Sequence, residues 1–245
     1  MKQIRFTGLL FYAAVIFLFS SCSGGGEKTT TTDSTMTDTT AKMAPPPVST
    51  IVTTPQNMVV VMQKIGNFEK WKMAYDGHDS ARMASGVHNY VIGRGLKDSN
   101  AVLVALKIDD TTKAMAFAKD PGLKKAMQKG GVIGAPMISF VTAVWQDTSA
   151  IDSKLRSRTT FTVKDFDAWQ KSFEEGKQER TDNGITVRAI LHDLHDNKKV
   201  ILVTAISDTA KAFAYYKSDA LKKRRAAAGV VGEPVRFLYN VVQRY

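Results

Sequence analysis

Side chains that could do chemistry recur at spacings of three and four residues, which places them on one face of an α-helix. One such face carries Phe68, Trp71, Tyr75, His78 and Arg82, and a second carries Phe166, Trp169, Phe173, Gly176 and Arg180. The aromatic residues are typical of a buried core, but an arginine on a packing face needs a partner or a wet cavity. Each face therefore predicts either a structural ion pair or the edge of a ligand cavity. The candidate cavity residues are Trp71, Tyr75, His78, Arg82, Trp169, Phe173 and Arg180.

His78 is the residue of this set that could act as a general base near neutral pH. The equivalent residue of the second face is Gly176, so at most one of the two cavities would carry such a base. The pattern leaves open whether His78 is catalytic or an exposed histidine at a helix end. The catalytic residues are therefore unknown, and the sequence does not decide whether the protein is an enzyme.

Metal and nucleotide patterns are absent from the sequence. A single cysteine excludes an intramolecular disulfide and a cysteine-cluster metal site, and four histidines leave little material for a histidine-rich one. His192 and His195 lie three residues apart in a strand pattern, so they should face opposite sides of a sheet. A P-loop, a dinucleotide-binding glycine pattern and a Ser-His-Asp order are also missing. We expect no metal ion.

The two helical faces belong to an internal repeat with an offset of 98 residues. This offset brings Leu123-Lys124-Lys125 onto Leu221-Lys222-Lys223, and the motif Gly-Val-x-Gly-x-Pro at Gly131 onto the same motif at Gly229. Recurrence at a fixed offset indicates two copies of one structural unit. We place them at residues 57–146 and 154–245.

Each copy predicts the element order β-α-β-β-α-β from its β-branched runs, its turn residues and the spacing of its apolar residues. The first copy has a strand at 58–65, a helix that Asn67 caps and that ends near Gly86, strands at 87–95 and 101–108, a helix at 111–129 and a strand from Pro136 to Trp145. The second copy has a strand at 155–163, a helix at 166–182, strands at 185–193 and 198–206, a helix at 208–228 and a strand at 234–243.

This order is the ferredoxin-like arrangement, a four-stranded sheet with helices on one face only. The uncovered face of each sheet must be buried by another element. The predicted fold class is therefore α+β, with two ferredoxin-like repeats packed sheet to sheet as an intramolecular α+β barrel. Such a chain is a pseudo-dimer by itself.

The motif Phe-x-x-Trp-x-x-x-aromatic, with Arg and Gly later on the first helix and Gly-Val-x-Gly-x-Pro before the last strand, resembles the antibiotic-biosynthesis-monooxygenase-like superfamily. The resemblance covers Met58 to Tyr245 as a tandem fusion, and it supports a fold more than an activity. It implies a dimeric α+β barrel with a ligand cavity between helices and sheet, where Arg82 or Arg180 could hold a carboxylate or an enolate. Haem-degrading members use a histidine on the second helix, and neither predicted second helix has one. We expect no cofactor.

The first 22 residues predict export. Two basic residues precede an apolar stretch, Phe6 to Phe19, which is short for a ~30 Å hydrocarbon core and has the layout of a secretory signal. The small residues before Cys22 resemble a bacterial lipoprotein processing box. We therefore predict a signal peptide at 1–21 and lipidation of Cys22, palmitate included, which would anchor the chain to a membrane. The alternative is cleavage after Ser21 with a free thiol.

Residues 22–56 are rich in Thr, Pro and Gly and contain no aromatic residue, which predicts a disordered tether. Loss of the leader lowers the net charge from +11 to +9. The densest basic cluster, residues 222–225, points around more than half of a helix and predicts a solvated face. We therefore expect no nucleic-acid partner.

These observations favour an exported envelope lipoprotein, with its folded part in the periplasm or at the cell surface and a possible small-molecule cavity in its repeats. One alternative is a cofactor-independent monooxygenase or isomerase that acts on a small aromatic or enolisable compound. Another is a structural interaction module without a ligand.

Overall fold

The computed structural model describes residues 49–245, so the predicted signal peptide, Cys22 and most of the predicted tether lie outside the described residues. The first repeat comprises β1 (Ile51–Val52), β2 (Gln56–Ile65), α1 (Phe68–Asp76), α2 (Asp79–Ala84), β3 (Val87–Gly95), β4 (Ala101–Ile108), α3 (Thr111–Ala118), α4 (Pro121–Lys129) and β5 (Val132–Asp147). The second comprises β6 (Leu155–Val163), α5 (Phe166–Glu175), α6 (Lys177–Asp182), β7 (Ile185–Asp193), β8 (Lys199–Ile206), α7 (Thr209–Lys217), α8 (Asp219–Ala227) and β9 (Val230–Arg244). Within this part of the chain, no helix combines the length and the apolar character needed to cross a membrane.

The strands follow the sequence pattern closely. Strands β3, β4, β6 and β7 have the predicted bounds. The last strand of each repeat is longer than predicted, because β5 and β9 begin before their prolines. The pairing of β2 with β5 is irregular between Met62 and Lys64, and this irregularity accommodates Pro136 inside the strand. Ile51 and Val52 pair with the end of β5, so the chain is ordered earlier than the tether boundary at residue 56 suggests.

Each of the four predicted helices is a pair of shorter helices, and the single helices at 68–86, 111–129, 166–182 and 208–228 are wrong. The first helix of each repeat breaks at Gly77 or Gly176, where the low helix propensity of glycine ends the run. The second predicted helix of each repeat breaks where a side chain caps the start of a new helix. Asp120 Oδ1 accepts the Leu123 N–H at 3.0 Å, and Ser218 Oγ accepts the Leu221 N–H at 3.2 Å.

Eight of the strands form one closed barrel in the order β5-β2-β4-β3-β9-β6-β8-β7, with β5 paired again to β7. The two repeats meet at β3–β9 and at β5–β7, both antiparallel. Closure removes the open sheet edges that each repeat would have alone. The predicted intramolecular α+β barrel is confirmed, and the ring order places β6 directly across the barrel from β2.

Side chains alternate between the two faces of the barrel wall. The outer face packs under the helices around Ile65, Trp71 and Ile92 in the first repeat, and around Val163 and Trp169 in the second. The inner face is a separate cluster that includes Met58, Leu103, Val141, Leu191 and Tyr239. The fold therefore offers two kinds of site, one under each helical layer and one inside the barrel.

Candidate functional site

The predicted face of the first repeat is assembled as the sequence suggests. Arg82 is only 3% exposed, and its Nη1 donates to the Tyr75 carbonyl oxygen at 2.5 Å. Its Nη2 lies 2.9 Å from Asp79 Oδ1, and its guanidinium carbon lies 3.8 Å from the centre of the Tyr75 ring. The buried arginine therefore has the carboxylate and carbonyl partners that its burial requires.

The second repeat reproduces this arrangement with one difference. Arg180 is buried, its Nη1 donates to the Phe173 carbonyl oxygen at 2.5 Å, and its guanidinium lies 3.7 Å from the centre of the Phe173 ring. Under the offset of 98 residues, Lys177 stands where the first repeat has Asp79. Within residues 49–245, Arg180 therefore forms no direct ion pair with a carboxylate. Burial lowers the pKa of Arg180, and the neighbouring Glu174 opposes that shift.

The helix–sheet pockets at these faces are small. Trp71, Tyr75, His78 and Arg82 line a pocket of about 70 Å³, and Trp169, Phe173 and Arg180 line one of about 70 Å³ in the second repeat. The structure therefore brings the predicted residues together in two sets, but each set encloses room for only a few water molecules. Their role as ligand contacts stays a prediction.

His78 occupies the N-cap position of α2 at the break after α1. Its ring is half-buried and lies 5.8 Å from the centre of the Phe117 ring. Among residues 49–245, its Nδ1 is buried without a hydrogen-bond partner. His78 therefore differs from the exposed helix-end histidine that the sequence left as an alternative.

The basic cluster at residues 222–225 is less exposed than predicted. Lys222 and Lys223 are exposed, but Arg224 and Arg225 are half-buried and line the second helix–sheet pocket. Arg224 Nη2 lies 2.6 Å from Glu179 Oε2, which ties α8 to α6. The prediction of a solvated face was therefore wrong for the two arginines, because their side chains are half-buried at the second helix–sheet pocket.

A far larger cavity, of about 550 Å³, lies inside the barrel. Its wall includes Met58, Val60, Leu103 and Val141 from the first repeat and Ile201 from the second. The exposed residues Lys154 and Arg244 border it, so it reaches the surface near the linker between the repeats. The pockets predicted from the sequence lie between helices and sheet, so this cavity is an addition that the structure supplies.

Four arginines of the second repeat line the barrel cavity, and the three on β6 and β7 differ in their partners. Arg188 is paired with Asp147, with Nη1 2.8 Å from Oδ2, and it also donates to Ser149. Arg156 donates to the carbonyl oxygens of Ser153 and Leu155. These two guanidinium groups are therefore held in place by the linker and by the end of β5.

Arg158 is the least satisfied of the three. Its Nη1 donates to Thr160 Oγ1 at 2.8 Å, and its Nε is buried without a partner within residues 49–245. Burial lowers the pKa of Arg158, and the nearby Tyr239 opposes that shift. Burial also raises the pKa of Tyr239 to about 12, although Arg156 and Arg158 act in the opposite direction.

A comparison of the two repeats could have identified the three arginines on β6 and β7 as candidate site residues. Under the offset of 98 residues, Met58, Val60 and Tyr90 correspond to Arg156, Arg158 and Arg188. Alternate residues of a strand share one face, so an Arg-x-Arg pair replaces an apolar pair on the same face. Positions that the copies share do not include these three, so they were not predicted as site residues. Within the described part of the chain, no group of three or more acidic, histidine or cysteine residues could hold a metal ion.

Comparison with known proteins identifies the fold. No protein-family model and no curated protein matches the sequence. A candidate monooxygenase of Fusobacterium nucleatum subsp. nucleatum superposes with a TM-score of 0.51 and 13% identity over 77% of this chain and 93% of its own. An anthrone oxidase-like protein gives a TM-score of 0.51 and 14% identity over 80% and 95%, and a candidate chlorite dismutase gives 0.52 and 12% over 76% and 95%. These likenesses confirm the fold that the resemblance to the monooxygenase-like superfamily predicted.

Proposed function

We propose that the protein is a lipid-anchored protein of the bacterial cell envelope that binds a small molecule inside its barrel. The observation that carries the proposal is the barrel cavity of about 550 Å³. Ligand sites for small molecules ordinarily measure about 300–1,000 Å³. The two helix–sheet pockets, of about 70 Å³ each, fall far below this range. A ligand in either of them would have to push the helices off the sheet.

The wall of the barrel cavity suits a binding site because closed hydrogen-bonded strands hold it on all sides. Apolar side chains supply most of its lining, and a few polar groups from β6, β7 and β9 converge on it. Sites of this composition are typical of small-molecule binding proteins. A ligand would enter from the side of Lys154 and Arg244, which are exposed and border the cavity.

The anchor and the location come from the sequence. Cys22 would become the lipidated amino terminus after removal of residues 1–21, and residues 22–48 would link it to the barrel. The folded part would then stand in the periplasm or at the cell surface. This location supports a role in capturing or holding a small molecule outside the cytoplasm.

The experiment that tests small-molecule binding compares two variants that fill different spaces. Ala105→Trp places a large side chain in the barrel cavity, and Ala118→Trp places one in the first helix–sheet pocket. A mixed panel of neutral, cationic and anionic fragments is screened by ligand-observed NMR against both variants and the parent protein. We expect fragments that bind the parent and the Ala118→Trp variant but not the Ala105→Trp variant. The absence of any fragment that depends on the barrel cavity would overturn the proposal.

His78 favours a second candidate function, cofactor-independent oxygenation or isomerisation. Within residues 49–245 the buried Nδ1 of His78 has no hydrogen-bond partner. It could take a proton from an enolisable carbon near Arg82 once the helices move off the sheet, because the closed pocket of about 70 Å³ is too small for such a substrate. One structural neighbour is an anthrone oxidase-like protein, so anthrone is a reasonable test substrate. Oxygen consumption with anthrone that disappears in His78→Ala, with the fold intact, would support this function. Equal consumption by both proteins, or none by either, would exclude it for this substrate.

A further inference from the structure

The barrel cavity has a charged wall and an uncharged wall. The second repeat supplies the charged residues, and the first repeat supplies the uncharged wall. All five charged residues of the lining belong to the second repeat; they are Lys154, Arg156, Arg158, Arg188 and Arg244. The first repeat contributes apolar residues together with Tyr90 and Gln146. No Asp or Glu is among the lining residues of the described chain.

The two walls face each other across the barrel. Arg156 and Arg158 lie on β6, and their counterparts Met58 and Val60 lie on β2. The order of the strands places β6 and β2 on opposite sides of the ring. A molecule in the cavity therefore meets guanidinium groups at one side and aliphatic side chains at the other.

Within residues 49–245, the positive charge of Arg156 and Arg158 on β6 is not balanced by a carboxylate. Asp147 pairs with Arg188, but across residues 49–245 no carboxylate forms an ion pair with Arg156 or Arg158. Burial lowers the pKa of both arginines, and Arg188 adds to the shift at Arg156 through like-charge repulsion. Guanidinium groups that are taken out of water in this way are costly unless an anion compensates them.

Arg158 also retains unused donors. Its Nη1 donates to Thr160, its Nε is buried, and within residues 49–245 its Nη2 has no hydrogen-bond partner and is not among the buried atoms. Nη1 and Nη2 therefore present a planar end at the cavity wall that could donate two parallel hydrogen bonds. That geometry matches a carboxylate or another planar or tetrahedral oxyanion. The buried hydroxyl-bearing ring of Tyr239 lies on the adjacent strand β9 and lines the same cavity.

We infer that the barrel binds an amphipathic anion, a single acid group joined to an apolar chain or ring. The acid group would lie against Arg158 and Arg156 on β6, and the apolar part would pack against Met58, Val60 and Val141 of the first repeat. This inference rests on the proposed function and specifies the ligand class of the same cavity.

The test uses two pairs of ligands that differ only in charge: decanoate with decanamide, and naphthalene-2-carboxylate with naphthalene-2-carboxamide. Binding is measured by isothermal titration calorimetry on the whole folded region. We expect at least one carboxylate to bind about tenfold or more tighter than its amide, because a hydrogen bond to a charged group is worth more than a neutral one. If neither carboxylate binds tighter than its amide, the inference is overturned.

Two variants locate the acid group. Arg158→Met removes the charge and keeps an unbranched side chain that fills part of the same space, so we expect the carboxylate affinity to fall about tenfold while the amide affinity stays the same. Lys171→Met removes one charge from the exposed surface of α5 and should change neither affinity. A specific contact would be contradicted if Arg158→Met lost as much amide affinity as carboxylate affinity. It would also be contradicted if Lys171→Met lost as much carboxylate affinity as Arg158→Met.

The outcomes separate this inference from the proposed function. If fragments bind in a manner that depends on Ala105 but carboxylates gain nothing over amides, the cavity binds small molecules and the anionic ligand class is wrong. If neither the fragments nor the paired ligands respond to Ala105→Trp, both proposals fail.

Discussion

The ring of Tyr239 lies against the α-carbon of Gly93, so closely that a β-carbon on Gly93 would overlap the ring. Gly93 is on β3 and Tyr239 is on β9, so this contact crosses one of the two seams between the repeats. The same ring lines the barrel cavity. One glycine therefore determines both how tightly this seam closes and where a wall residue of the cavity stands.

Gly93→Ala should destabilise the protein by about 1–3 kcal/mol, because the added methyl group must displace a buried ring. Urea unfolding followed by circular dichroism measures the change. Gly66→Ala is a matched control, since its β-carbon would meet only one neighbouring atom, at an ordinary contact distance of 3.8 Å. Equal stabilities of the two variants would show that the Tyr239 ring moves without cost.

Arg82→Ala should lower the free energy of unfolding by about 2 kcal/mol or more, because it removes the buried guanidinium that bonds the Tyr75 carbonyl and Asp79 and leaves a cavity in its place. Fragment binding in the barrel cavity should not change. Lys70→Ala on the exposed side of α1 is the control and should alter stability little. A variant with normal stability and lost ligand binding would instead place Arg82 in a functional pocket.

Tyr239 should make the protein less stable at alkaline pH. Burial raises the pKa of Tyr239 in the folded state to about 12, above the ordinary tyrosine value of 10.0, so the folded state favours the protonated phenol. This contribution is complete below pH ~10 and is lost as the pH rises toward ~12. Between pH ~8 and pH ~11 the parent should lose about 1 kcal/mol more stability than Tyr239→Phe. Parallel stability curves of the two proteins over this range would contradict the burial of an un-ionised phenol.

Cys22 should be the modified amino terminus of the mature protein when the full chain is expressed in a bacterial host. The supporting observation is that the only cysteine of the chain directly follows the export leader. Mass spectrometry of the amino-terminal peptide should find a diacylglycerol-modified cysteine, and Cys22→Ser should release the protein from the membrane fraction. An unmodified Cys22, or an amino terminus elsewhere, would exclude the lipid anchor.

Much of the fold was predictable because short-range sequence patterns indicate the strands and the internal repeat indicates two copies of one unit. The bounds of β3 and β4 follow from β-branched runs between turn residues. The breaks at Gly77 and Asp120 were missed because apolar spacing continues across them, while a cap or a glycine ends the backbone hydrogen bonding. The strand partners across the seams depend on the closure of the whole barrel, which no local pattern encodes.

The candidate site was predictable only in part. Arg82 and Arg180 stand out because both copies keep them, and their equivalence correctly pointed to buried, partnered side chains. Arg158 was missed because its importance comes from a difference between the copies and from the empty space in front of it. Cavity volume depends on how the two halves of the barrel meet, and a single strand does not determine it.

The joining of both halves in one polypeptide has a consequence for how a ligand can be oriented. In a barrel made from two identical subunits, the two-fold axis would copy each wall residue to the opposite side. A guanidinium at the position of Arg158 would then face a second one at the position of Val60, and neither end of a bound molecule would be distinguished. Here the tandem chain has an arginine on one side and a valine on the other. The two sides of the cavity therefore differ, and an asymmetric ligand can bind in a single orientation.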